Sequence, residues 1–118
     1  MKENFENKII EINSLLNCYY EKERNGYFKN SEENYNENFV IKNGIKELLE
    51  NVNVSNTISE NAKQLLKNEL LKLLAENTGC VDDCKISEII IKELIDKKTL
   101  TKDDVDYYRK NENTGRWK

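Results

Sequence analysis

Apolar residues recur along this chain at three- and four-residue steps, the spacing that gathers side chains on one face of a helix. The longest such run is 58–77. Ile58, Ala62, Leu65, Leu66, Leu70, Leu73 and Leu74 form its stripe, and Ala, Leu, Lys, Glu and Gln fill most of the run. All are good helix formers. Thr57-Ile58-Ser59-Glu60 reads as a capping box at its start. Gly79 stands where a left-handed C-terminal cap would end it. An isolated amphipathic helix is marginal without partners for its apolar face, so the other helices are expected around this one.

The same spacing predicts a first helix over 3–24, with Phe5, Ile9, Ile12, Leu16, Tyr19 and Tyr20 on one face. Ile10, Leu15 and Cys18 lie off that stripe and read as contacts with a second neighbour. Asn25-Gly26 breaks the helix, since Gly26 takes the positive φ that other residues resist. The stretch 27–38, YFKNSEENYNEN, has no apolar 3.6 period. It reads as a mobile Asn/Glu-rich loop over 25–38. A β-hairpin through Asn25-Gly26 ranks second because the flanks do not alternate.

A second helix is expected over 39–51, on a stripe of Ile41, Ile45, Leu48, Leu49 and Val52. Gly44 inside it costs ~1 kcal/mol relative to Ala, or lets two helices approach closely. The next helix opens at Val81-Asp82, with Asp82 as N-cap and Val81 stapled to Ile86. Ile86, Ile89, Ile90, Ile91, Leu94 and Ile95 cover more than half of its circumference, which predicts a central place in the bundle. Lys97 and Lys98 suit its C-terminal dipole. Leu100-Thr101-Lys102-Asp103-Asp104-Val105 is the clearest local signal: a Thr101–Asp104 capping box with a Leu100–Val105 staple. A last helix follows to about Asn111, leaning on Val105 and Tyr108. The prediction is an all-α, compact single-domain bundle of four or five helices over 1–112, with a tail at 113–118.

Composition narrows the function by exclusion. The chain has 118 residues, no Pro, four Gly and a net charge of -3. Its mean hydropathy is -0.84 and its pI about 5.2. That balance argues against a general nucleic-acid binder. No run of ~18 apolar residues offers a membrane span. The start lacks a signal-peptide pattern, and three Cys, an odd number, fit a reducing compartment. A cytoplasmic address is expected.

There is no His. Ser-His-Asp and Cys-His hydrolysis and imidazole-dependent metal sites are thereby excluded. The Gly residues are isolated at 26, 44, 79 and 115, so no phosphate-cradling loop exists. Cys80 and Cys84 flank Asp82 and Asp83, but the spacing is not CxxC and the pair reads as inert. No catalytic, cofactor-binding or metal-binding residues are assigned, and the chain is expected not to be an enzyme.

The expected function is binding to another protein, as a regulator or inhibitor. A phage- or mobile-element protein directed at a host enzyme fits the size and composition. Tyr27, Phe28 and Tyr35 on the expected loop, with Trp117 in the tail, are the candidate anchors, since aromatics bring large area with few rotors. Ile10, Leu15 and Leu71 are the fallback surface. The alternative is a DNA- or RNA-binding regulator using the helical hairpin 86–111, through Lys97, Lys98, Lys102, Arg109, Lys110 and Arg116. Acids at Asp103, Asp104 and Asp106 on the would-be recognition helix weaken that reading.

Overall fold

Among the described residues five helices run in alternating directions: α1 (Phe5–Arg24), α2 (Ser31–Val54), α3 (Glu60–Ala75), α4 (Val81–Asp96) and α5 (Lys102–Lys110). They are seen in a computed structural model that describes residues 4–79 and 81–112. The all-α bundle expected from periodicity is the fold observed. α2 packs against α1, α3 and α4, and α3 packs against α1, α2 and α5. The core gathers Leu16, Tyr19 and Tyr20 of α1, Ile45 and Leu49 of α2, Leu70, Leu71 and Leu74 of α3, and Ile91 and Leu94 of α4.

The largest departure from expectation is α2, which begins at Ser31 and not at Phe39. The stretch read as a 25–38 loop is therefore a short connection followed by two helical turns. Asn30 is the N-cap, its side chain accepting from Glu33 N at 2.8 Å. Glu33 reaches back to Lys29 N at 2.9 Å. The helical period is present in these turns but carried by polar residues. Asn34 accepts from the Tyr19 hydroxyl at 2.7 Å, and Asn38 is fully buried. In phase with Ile41 and Ile45, they continue the inward stripe that an apolar criterion cannot see.

Helix ends supply the other differences. α3 starts one residue after Ser59, whose hydroxyl accepts from Ala62 N at 3.2 Å, so the Thr57–Glu60 box does not form. Its C-terminus falls at Ala75, three residues before the Thr78-Gly79 signal, although Gly79 does take φ +98° in the connection that follows. α4 already includes Val81, so Asp82 lies in its first turn and is not its cap; Val81 is 67% exposed, which a packed staple to Ile86 would not leave it. α1 ends as expected at Gly26, with Gly26 N bonded to Glu23 O and Tyr27 N to Lys22 O. That is a Schellman pattern. α4 repeats it with Lys98 at φ +62°, where Lys98 N bonds Ile95 O and Thr99 N bonds Leu94 O. The α5 capping box of Thr101 and Asp104 is formed as expected.

Burial corrects three expectations. Leu65, on the expected inward stripe, is 67% exposed, whereas Leu71, on the expected fallback surface, is fully buried. The arc of α3 that is covered is rotated toward α5, which packs on it. α4 is not central: it lies against α2 at the edge, with Ile89 and Ile95 exposed. A Cβ on Gly44 would meet Ile12 Cδ1 at 3.8 Å, ordinary contact, so close helix approach does not require glycine there.

Candidate functional site

Beneath the α3–α4 connection lies a buried polar cluster that no motif announced. Lys42 of α2 is fully enclosed. Its ammonium donates to Leu74 O at 3.2 Å, Glu76 O at 2.8 Å, Asn77 Oδ1 at 2.8 Å and Ser87 Oγ at 2.5 Å. Asp83 Oδ1 stands 3.2 Å away. The other Asp83 oxygen accepts from Thr78 N at 2.6 Å, and Oδ1 also accepts from Asn38 Nδ2 at 2.5 Å. Tyr20 donates to Glu76 O at 2.6 Å. Asn38 Oδ1 is a buried acceptor without a partner among the described residues.

The cluster has a physical purpose. The last carbonyls of a helix have no intrahelical donors, and a cation there also meets the negative end of the dipole. Lys42 donates to carbonyls at that end of α3 from another helix, and α3 ends there, before the Gly79 signal. Asp83 lies in the first turn of α4, where a carboxylate meets the positive end of that helix. Burial pushes the Lys42 amine below its ordinary pKa, against the raising pull of Asp83. With Lys42, Asn38 and Ser87 all at 0% exposure, the amine is closed to solvent. A smaller cluster joins α3 to α5. Lys67 donates to Thr99 O at 3.2 Å and lies 3.6 Å from Asp104, which accepts from Gln64 at 2.9 Å and from Thr101 N at 3.0 Å.

The candidate anchors do not share one face. Tyr27 is 70% exposed. Phe28 is half-buried, packs on the core and meets Tyr19 ring to ring at 5.6 Å. Tyr35 is on α2, where it stacks on Phe39 at 6.2 Å and 15° between planes. Phe28 lies beside Glu37 and Val40. Tyr35 and Phe39 occupy the opposite flank of α2, the one that Lys46 and Glu50 turn to α4. Trp117 falls outside the described residues, as does Arg116.

Among the basic residues of the alternative reading, Lys97 pairs with Glu50 at 3.0 Å and Arg109 with Glu88 at 2.6 Å and Glu112 at 2.7 Å. Those two cations would have to exchange carboxylates for phosphates. Lys98, Lys102 and Lys110 are exposed. α5 packs on α3, with the Tyr108 hydroxyl and Arg109 reaching α4 at Glu88. Cys18 is exposed and Cys84 half-buried, and Cys80 lies outside the described residues. Among the described residues no group of three His, Cys, Asp or Glu side chains is placed to hold a metal, and no helix is long and apolar enough to cross a membrane.

An apolar surface with two hollows runs between α1 and α3. One hollow of about 440 Å³ lies between Phe5 and Glu6 of α1, Ala62, Leu65 and Leu66 of α3, and Ile58 in the connection before α3. A second, of about 300 Å³, follows between Ile9, Ile10 and Asn13 of α1 and Glu69 and Leu73 of α3. Ile10 and Leu65, at 63% and 67% exposure, form its rim. No protein-family model, curated protein or solved structure matches this chain.

Proposed function

We propose that this protein acts without catalysis by binding another protein, as a regulator, an inhibitor or an assembly subunit. A small cytoplasmic phage- or mobile-element protein directed at a host enzyme fits its size and composition. The observation that supports the reading is where its exposed apolar side chains lie. Single exposed apolar residues are normal on any surface, but gathered ones mark contact sites. Here they gather in three places: Leu65 and Ile10 line successive hollows between α1 and α3, the Tyr35 and Phe39 rings stack on the α2 flank beside α4, and Ile89 and Ile95 line one hollow on α4; the first two are taken as the candidate surfaces. Tyr27 remains an available anchor. Phe28 contributes through the ring packing that holds the α1–α2 connection.

The test is affinity capture of the full chain from its native host, with mass spectrometry of what co-purifies. Two surface variants run beside it, Ile10→Ser with Leu65→Ser, and Tyr35→Ser with Phe39→Ser. A stoichiometric protein partner lost from one variant, with the melting temperature kept, is the expected result. Nucleic acid as the co-purifying species, or no stoichiometric protein, would overturn the proposal.

A further inference from the structure

We infer that the α1–α3 groove receives an amphipathic helix of the partner, with two apolar anchors one to two turns apart and a Lys or Arg flank. This rests on the protein-binding reading above. α1 and α3 run in the same direction: Phe5 lies by Ala62, Ile9 and Ile10 lie by Glu69 and Leu73, and Tyr20 reaches Glu76 O. Among the described residues the two hollows are lined by α1 with its cap Asn4, α3 and Ile58 alone, with no residue of another helix, and they follow one another along the pair. From Phe5 to Ile9–Ile10 the spacing on α1 is ~6–8 Å at 1.5 Å per residue. From Ala62–Leu66 to Glu69–Leu73 on α3 it is ~10 Å. These distances match side chains at i and i+4, or i and i+7, on a docked helix. An extended strand places same-face side chains at ~7 Å, but in a groove between two helices its backbone groups would go unpaired.

Charge sets the flank. The charged side chains lining the two hollows are both carboxylates, Glu6 in one and Glu69 in the other. Glu69 has a partner in Lys72 at 3.8 Å, but both are more than half exposed, so the pair is weak and exchangeable. Leu65 and Ile10 would be buried on docking, and the substitutions that block it sit on the surface; Glu6→Lys also gives up a carboxylate in the first turn of α1, a small cost to folding.

The probe is a fluorescent Ala-Leu-Lys peptide of about 14 residues, ~21 Å as a helix, with two leucines seven apart and lysines along one flank. Fluorescence anisotropy with the full chain should show saturable binding at low salt. Leu65→Arg, and separately Glu6→Lys with Glu69→Lys, should each weaken it by about tenfold, which is 1.4 kcal/mol. A Glu-flanked version of the peptide should not bind. Circular dichroism of the variants should match the parent chain, with melting unchanged for Leu65→Arg and only slightly lower for Glu6→Lys with Glu69→Lys. Absent binding, or binding indifferent to these substitutions, overturns the inference. So does a dimer in sedimentation that Leu65→Arg dissolves, which makes a second copy the occupant. A chain ended after Glu112 that binds the peptide much more tightly would make its own tail the occupant, again overturning it. If native-host capture yields a partner that Leu65→Arg still holds, this inference falls while the protein-binding reading stands.

Discussion

Two seams in this bundle join helices that run in the same direction, and they are filled in opposite ways. In the α2–α4 seam polar side chains cross at regular rungs. Asn38 meets Asp83, Lys42 meets Ser87 and Asp83, Lys46 meets Glu93 at 2.7 Å, and Glu50 meets Lys97 at 3.0 Å. In the α1–α3 seam the reach of Tyr20 to Glu76 O closes one end, and toward the other the helices part around apolar hollows. Both depart locally from the expected layout of apolar inside and polar outside: α2–α4 buries Asn38, Lys42, Asp83 and Ser87, and α1–α3 leaves Ile10 and Leu65 exposed. The reason lies in what each seam must satisfy. The α2–α4 seam passes the C-terminus of α3 and the N-terminus of α4, whose unpaired carbonyl and amide groups need partners. The α1–α3 seam opens at the N-termini of both helices, but there the Asn4 and Ser59 side chains accept from Asn7 N and Ala62 N locally, so no polar group has to cross the seam.

The sharpest way to break this comparison is to remove the innermost rung. Lys42→Met keeps the bulk of the stem but leaves Asp83 buried without its cation and the Leu74 and Glu76 carbonyls short of a donor. Removing one partner of a buried pair typically costs 3–5 kcal/mol, a large share of a domain's ~5–15 kcal/mol. Urea denaturation should show that loss. Adding Asp83→Leu relieves the stranded carboxylate, and in many proteins such double replacement is neutral. Here it should recover only part of the loss, because the α3 carbonyls still lack a donor. Full recovery would mean that Lys42 serves Asp83 alone and caps nothing.

That inner rung also marks the limit of what the sequence reveals. Helix number, most of the core and the α5 cap follow from local rules, because Leu and Ile stripes and the Thr101–Asp104 box act within a few residues. The polar cluster does not. Asn34, Asn38 and Lys42 stand at four-residue steps in phase with Ile41 and Ile45, but an inward Asn and an outward Asn look alike until their partner is known. Asn38's partner Asp83 is 45 residues away. The same blindness turned two turns of α2 into a loop and placed the end of α3 at its glycine, since the true cap comes from another helix. Lys98 is the complementary case: a left-handed cap without glycine, imposed by the turn into α5. As for the groove, the α3 stripe places Leu65 inside, and only the docking of α5 on the other side leaves it out.

An intermediate effect is expected where a third seam, between α3 and α5, holds one charge pair. Burial alone would raise the Asp104 carboxyl, but hydrogen bonds from Gln64 and Thr101 and the charge of Lys67 outweigh it and hold it below its ordinary 3.8. A carboxyl lowered in the folded state stabilises above its unfolded pKa and loses that contribution as pH falls through the folded value. Asp104→Asn should therefore cost about 1–2 kcal/mol at pH 7, typical of a lost charge-assisted hydrogen bond. The gap to the parent chain should stay constant down to about pH 4 and close below it. A gap that persists undiminished to pH 2 would assign the loss to shape and not to charge.

The outermost rung should matter least, and it tests whether the α2–α4 seam acts as one unit or as separate pairs. Lys97 and Glu50 meet at 3.0 Å, but the lysine is about half exposed. Glu50, and Glu93 behind it, raise the Lys97 amine above its ordinary value. Such a cation stabilises below its unfolded pKa and loses its contribution only as pH climbs through the raised value, so at pH 7 the pair is fully formed. Water and ions still compete for both groups, and exposed pairs usually contribute little. Lys97→Met should lower the melting temperature slightly at low salt and not at all at 0.5 M salt, far above physiological screening. The Lys42→Met loss should be nearly the same at both salt concentrations, because ions do not reach a sealed amine. If Lys97→Met instead destabilises the chain as much as Lys42→Met, the rungs are cooperative. The depth of burial would then not set their worth, and the contrast between a polar seam anchored at buried helix ends and an open apolar one would have to be redrawn.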